Sequence, residues 1–139
     1  MGVFRQKVIL VNAYDKALAK RKMIPPEEVR ELEVSFLVDT GAYMLCINEE
    51  IQNQLGLDIN DRQEGLLANG ERQIFNFAGP VEIKIYNRRT ITEAIVLPGN
   101  AEPLFGSIPL EALDLIVDSK EGALKLPPGR PYIAQTLLL

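Results

Sequence analysis

A strand that runs directly into an aspartate is the feature that most restricts how this chain folds. Apolar residues occupy every even position in the range 32–38, and two of the three residues between them are polar, which is the pattern of a half-buried strand. Asp39 follows at the end of that strand, where a charge is costly unless it is paired or shares a proton. We therefore expect a buried Asp39, followed by a tight turn that Thr40 and Gly41 shape.

Absent residue types narrow the chemistry that this aspartate can take part in. The chain of 139 residues has no histidine and one cysteine, which excludes Ser-His and Cys-His nucleophile pairs and the usual zinc ligand sets. Neither of the glycine-rich signatures of phosphate or dinucleotide binding occurs. The sequence therefore favours carboxylate chemistry, and we expect no metal and no cofactor.

The residues from Asp39 to Ala42, with the apolar strand before them, resemble the active-site loop of the aspartic peptidases. A chain of this length with a single Asp-Thr-Gly is similar to the retropepsin-like branch, in which two identical chains each supply one aspartate. The resemblance implies an all-β fold, a closed retropepsin-like β-barrel with two short helices, formed by residues 1–139 as one domain. It implies Asp39 as the catalytic residue and Thr40, Gly41 and Ala42 as the active-site loop, with the Thr40 hydroxyl bonding to the partner loop.

A second apolar-apolar-glycine run supports the same resemblance. Leu104, Phe105 and Gly106 precede a helix that we expect from about Pro109 to Leu113, with Ser107 as a candidate cap. In aspartic peptidases such a run lies against the catalytic loop. The resemblance therefore implies that Phe105 and Gly106 belong to the substrate-binding site.

A hairpin is expected between these two runs, because Asn-Gly between two potential strands is a strong turn signal. The turn contains Leu67, Ala68, Asn69 and Gly70. In retropepsin-like proteins a glycine-containing hairpin at this place folds over the substrate as a flap, and the resemblance assigns these four residues to substrate binding. The alternative is an ordinary surface hairpin.

Two features, which involve three positions, depart from the viral members of the family. Many of those carry acidic residues directly after Asp-Thr-Gly-Ala and an arginine after the second glycine, and these form ion pairs across the dimer. Here Tyr43, Met44 and Ser107 stand at those positions. The chain therefore looks closer to cellular and prokaryotic retropepsin-like proteins, and both partners of that ion pair are missing together.

The remaining elements follow from local patterns. We expect a first strand over 3–11, a turn at 12–15, and a solvated loop over 16–31, where two adjacent prolines disfavour a continuous helix. A short helix over 49–55 is indicated by an asparagine N-cap and a glycine stop. Further predictions are strands near 81–86 and 90–97, a hairpin over 115–126 with a turn at Asp118-Ser119, and an apolar terminus, 133–139, that is buried, with a dimer interface as one candidate.

Charge and hydropathy bear on partners and location. The net charge is −4 and the pI about 4.9, which gives no electrostatic reason to expect nucleic acid as a partner. No apolar run reaches the roughly 18 residues that a membrane span needs, no signal-peptide core is present, and one cysteine cannot form an intrachain disulfide. We expect a cytoplasmic protein that acts on peptide or protein substrates.

Three hypotheses on function remain at this point. The main one is an aspartic endopeptidase, active as a homodimer, that hydrolyses peptide bonds with a water activated between two Asp39 carboxylates. The alternative is a catalytically silent retropepsin-like domain that binds peptides or mediates dimerisation. A third is an unrelated small β-barrel, which predicts an exposed Asp39 with no cavity beside it.

Overall fold

The computed structural model describes residues 3–136, which contain nine strands and three α-helices. The strands are β1 Phe4–Asn12, β2 Glu31–Val38, β3 Leu45–Asn48, β4 Asp58–Leu66, β5 Arg72–Ile85, β6 Arg88–Leu97, β7 Leu104–Phe105, β8 Ile116–Asp118 and β9 Ala123–Lys125. The helices are α1 Ala13–Lys20, α2 Glu49–Leu55 and α3 Ser107–Ala112. None of the helices in this described part is long and apolar enough to cross a bilayer.

One sheet forms most of the molecule and closes on itself. Its order is β1-β2-β7-β3-β6-β5-β4, and β1 also pairs with β5, so that six strands form a ring. β4 stays outside the ring and pairs with β5 alone, while β8 and β9 form a separate hairpin. The predicted all-β closed sheet is confirmed.

The core fills this ring, and β2 shows why its sequence alternates. Val34, Phe36 and Val38 are buried, whereas Glu33 and Ser35 between them are exposed. The ring of Phe36 meets that of Phe105 edge to face, with 5.4 Å between centroids. The strand that leads to Asp39 is thereby fixed to the second apolar-apolar-glycine run.

The prediction of a turn at 12–15 and a loop at 16–31 was wrong in part, because α1 occupies Ala13–Lys20. Asn12 caps this helix, its side-chain oxygen accepting from the backbone N–H of Asp15 at 3.0 Å. The two prolines exclude only a helix that continues through them, and Pro26–Glu28 forms a 3-10 turn. The all-β fold therefore carries three short helices instead of two.

The other local predictions can be compared directly. α2 spans Glu49–Leu55 as predicted, capped by Asn48 and ended by the left-handed Gly56, and the hairpin at 115–126 forms β8 and β9. α3 begins two residues earlier than expected, at Ser107, and Gly106 precedes it without a side-chain cap. In the apolar terminus Ile133 is exposed in the single chain and Leu137–Leu139 lie outside the described residues, so burial in a dimer interface stays a prediction.

Candidate active site

Asp39 stands at the point where β2 ends beside β7. The two strands are parallel, and the backbone N–H of Leu37 donates to the carbonyl oxygen of Pro103 at 3.0 Å. One step further, the N–H of Asp39 donates to the carbonyl oxygen of Phe105 at 3.1 Å. The position of the aspartate backbone is therefore set by the second run as well as by its own strand.

The loop after Asp39 folds back onto that residue. The N–H of Gly41 donates to the Asp39 Oδ1 at 2.9 Å, and the N–H of Ala42 donates to the Asp39 carbonyl oxygen at 3.0 Å. Asp39 is half-buried, so the expectation of full burial was wrong. The carboxylate lies just beyond the end of β2. The N–H of Gly41 holds one of its oxygens, and the carboxyl group still lines a cavity.

Gly106 is required by the approach of two backbones. A Cβ at this position would lie 2.5 Å from the carbonyl carbon of Tyr43 and 2.6 Å from the carbonyl oxygen of Met44. Next to it, the N–H of Ser107 donates to the Ala42 carbonyl oxygen at 3.0 Å, and the N–H of Ile108 donates to the Tyr43 carbonyl oxygen at 2.8 Å. The start of α3 and the Asp39 loop therefore form one hydrogen-bonded unit.

A cavity of about 240 Å³ opens beside Asp39. Its lining residues are mainly apolar: Val3, Phe4, Val38, Asp39, Thr40, Val117 and Ser119. Asp39 is the one carboxylate among them. The cavity contradicts the hypothesis of an unrelated barrel, which predicted a solvent-facing Asp39 without a pocket.

Val117 and Ser119 were not predicted at this site. The sequence indicated only a turn here, and Asp118 does form one, with its Oδ1 accepting from the backbone N–H groups of Lys120 and Glu121 at 3.1 and 3.0 Å. The hairpin lies beside the start of β1, where the N–H of Leu124 donates to Gln6 Oε1 at 3.4 Å and Gly122 lies near the Phe4 side chain. No local sequence signal reveals this long-range contact.

The hairpin of β4 and β5 has the turn that the sequence predicted. The N–H of Leu67 donates to the Glu71 carbonyl oxygen at 2.8 Å, Asn69 Oδ1 accepts from the Glu71 N–H at 2.9 Å, and Gly70 has φ of 86°. Among residues 3–136 no hydrogen bond joins this tip to the Asp39 loop. The structure thus brings Asp39–Ala42, Phe105 and Gly106 together and leaves 67–70 on a separate arm.

A larger cavity, of about 610 Å³, lies beyond the far end of α3 and contains none of the predicted site residues. Of the two carboxylates that line it, Glu111 and Asp114, the second receives hydrogen bonds from Arg130 at 2.8 Å, and these lower the pKa of Asp114. A carboxylate held in this way is a poor acid or base. The lone cysteine, Cys46, is also chemically quiet, because burial raises the pKa of its thiol to about 11.

Comparison with known proteins identifies a family whose sequence model covers the residues of this site. The sequence model of the family described as "gag-polyprotein putative aspartyl protease" matches residues 27–111, which contain Asp39, the hairpin and Gly106. No curated protein matches the chain significantly.

Two solved structures match the chain, and the first of them confirms the predicted retropepsin-like fold. The retroviral protease-like domain of Ddi1 from Leishmania major is 16% identical, with a TM-score of 0.54 and 91% of each chain covered. A retropepsin-like aspartic protease from Rickettsia conorii is 16% identical, with a TM-score of 0.45, over 85% of this chain and 89% of the other.

Proposed function

This chain belongs to the gag-polyprotein putative aspartyl protease family, and from that premise we propose that it is an aspartic endopeptidase that works as a homodimer of the single domain 1–139. The observation that carries the proposal is the placement of Asp39. Its carboxylate stands at the open end of β2 beside a cavity, on a loop that is bonded to Phe105 and to the start of α3. One chain supplies one such carboxylate, and a second copy supplies the other.

The chemistry depends on the two carboxylates being close together. At a separation of about 3 Å both cannot ionise, so they share one proton. The charged Asp39 takes a proton from a water held between them, and the protonated Asp39 polarises the carbonyl of the scissile peptide bond. The water attacks that carbonyl directly, and no covalent intermediate with the protein forms.

The neighbouring residues have supporting roles in this proposal. Thr40 is exposed, which leaves its hydroxyl free to bond to the partner loop, and Gly41 is exposed beside it where the two loops approach. An extended peptide lies across the pair of loops, and the turn 67–70 folds over it as a flap. Phe105 and Gly106 belong to the substrate-binding site in this proposal, and they pack against the segment from Asp39 to Met44.

The substrate is a peptide or an exposed segment of a protein in an extended conformation. Neither the net charge of −4 nor the apolar lining of the Asp39 cavity favours nucleic acid as a ligand. We propose a cytoplasmic location. A chain with a single cysteine cannot form an intrachain disulfide, and disulfides are rare in proteins of the reducing cytosol.

A catalytically silent domain that binds peptides or mediates dimerisation is the second candidate. The observation that favours it is the uncharged surface beside the Asp39 loop, where Tyr43, Met44 and Ser107 replace the ionic residues of viral relatives. In that case the fold and the cavity serve recognition, and Asp39 only shapes the loop.

Cleavage of a mixed peptide library by the purified chain, read by mass spectrometry, separates the two candidates. We expect cleavage products from the wild-type protein and a loss of about 10²–10⁴-fold in rate for Asp39→Asn. Asp58→Asn, an exposed aspartate at the start of β4, is the matched control and should cleave normally. Cleavage by Asp39→Asn at the wild-type rate would refute Asp39 as the catalytic residue, and binding of peptides without cleavage by the wild type would favour the silent domain.

A further inference from the structure

Two apolar side chains stand exposed directly beside the Asp39 loop. Tyr43 is 74% exposed and Ile108 is 52% exposed, although both are large and apolar. Their backbones are joined, since the N–H of Ile108 donates to the carbonyl oxygen of Tyr43 at 2.8 Å. Loop and helix therefore present them as a fixed pair, which we call the Tyr43–Ile108 patch.

The two short segments that contain this patch have no charged side chain, although Asp39 and Glu111 border them. Residues 40–44 and 106–110 contain no acidic or basic side chain, so the segments on both sides of the patch are uncharged. Exposed aromatic and aliphatic residues on an uncharged surface are typical of the centre of a protein interface. An ionic contact cannot form here between the residues of these two segments.

Symmetry identifies the occupant of the surface. The cavity beside Asp39 is lined by one carboxylate, so the proposed reaction is incomplete until a second copy brings another. The two-fold axis of such a dimer passes between the two Asp39 loops, and every contact near the axis occurs twice. Tyr43 follows the Asp39 loop directly in sequence, and Ile108 is hydrogen-bonded to Tyr43. The patch therefore flanks that axis.

We propose that the Tyr43–Ile108 patch is the contact that holds two copies of this chain together, by apolar packing instead of ion pairs. The inference rests on the proposed function, since the pairing of Asp39 residues places the axis. The proposal also predicts the direction in which salt changes the affinity between the two copies. Each chain carries a net charge of −4, so added salt screens the repulsion between copies and has no interfacial ion pair to weaken.

The test is the dissociation constant of the dimer, measured by analytical ultracentrifugation on the inactive Asp39→Asn background. Adding Tyr43→Ser or Ile108→Ser should raise the Kd by about tenfold or more, because each side chain is lost twice in a symmetric dimer. Tyr14→Ser and Ile91→Ser are matched controls at exposed residues of α1 and β6, and they should change the Kd by less than about twofold. Thermal melts show that all variants are folded.

The salt dependence of the Kd is the second measurement. Between about 50 mM and about 500 mM NaCl the Kd should stay constant or fall, whereas a dimer held by ion pairs would weaken. An unchanged Kd in both patch variants, or a Kd that rises with salt, overturns the proposal.

The interface and the proposed peptidase can fail separately. A chain that remains monomeric at every concentration and still cleaves peptides through Asp39 refutes the interface alone. A dimer that depends on the patch but cleaves nothing refutes the peptidase alone.

Discussion

The backbone N–H of Asp39 donates to the carbonyl oxygen of Phe105 at 3.1 Å, and this bond joins the two runs on which the site is built. Phe105 also packs its ring edge-on against Phe36 in the strand that leads to Asp39. The aspartate is therefore positioned by backbone and core contacts together. Changes that separate β2 from β7 should affect stability and activity at the same time.

Replacement of Gly106 by alanine should push the end of β7 away from the segment that follows the Asp39 loop. The added Cβ would meet backbone atoms of Tyr43 and Met44 at 2.5–2.7 Å, and backbone cannot move aside as a flexible side chain can. We expect Gly106→Ala to lose about 1–3 kcal/mol in the free energy of unfolding, measured by urea denaturation. Gly129→Ala, where a Cβ meets nothing within 4 Å, should change it by less than about 1 kcal/mol. Equal effects of the two substitutions would contradict the account.

Replacement of Lys16 tests a buried carboxylate far along β5. Glu82 is almost completely buried, and Lys16 Nζ donates to both of its oxygens at 2.8 and 3.0 Å. Burial opposes ionisation of Glu82, but the hydrogen bonds from Lys16 and Arg89 outweigh it and lower the pKa. Lys16→Met should cost about 1–3 kcal/mol, because a buried charge loses its closest partner.

The matched control for Lys16→Met is Lys7→Met. Lys7 pairs with Glu33 across 4.0 Å, and both side chains are largely exposed. Such surface pairs contribute little, so we expect a change below about 1 kcal/mol in the same denaturation experiment. A cost for Lys7→Met that equals the cost for Lys16→Met would show that burial of Glu82 is not the cause.

Asp114 should make stability depend on pH. Hydrogen bonds from Arg130 lower its pKa in the folded protein, so its ionised form stabilises the fold above the unfolded pKa of about 3.9. That stabilisation is lost as the pH falls through the lower pKa of the folded state. Asp114→Asn removes the charge, and asparagine tolerates the φ of 52° at this position.

Thermal melts at several pH values check this prediction. At pH 7 the Tm of Asp114→Asn should lie below that of the wild type, and the difference should shrink below about pH 4. Asp58→Asn, at an exposed position of β4, serves as the control and should show no such trend. A difference in Tm that is constant from neutral to acidic pH would contradict the assignment of Asp114 as the titrating group.

The sequence predicts the parts of this fold that depend on local chemistry. Alternation in β2, the Asn48 cap of α2 and the turn at Asn69-Gly70 all depend on neighbouring residues, and the structure has them where the patterns place them. The local pattern does not predict α1, because Asn12, whose side chain caps that helix, is equally typical of a turn, and the two prolines lie beyond the end of the helix.

Local sequence patterns do not predict the long-range contacts at the site. Ser119 reaches the Asp39 cavity only because its hairpin packs against the start of β1, and no pattern in the hairpin encodes that. Likewise the sequence marks Tyr43 and Ile108 merely as apolar. Their exposure and their shared hydrogen bond become visible once α3 is placed against the loop.

The most direct test of the shared-carboxylate claim mixes wild-type chains with Asp39→Asn chains and measures peptide cleavage at constant total protein. If both Asp39 residues of a dimer are required, an equimolar mixture should have about one quarter of the wild-type activity, because only that share of randomly paired dimers carries two of them. Activity of about one half at the same point would show that each Asp39 works alone, and it would contradict catalysis by a carboxylate pair.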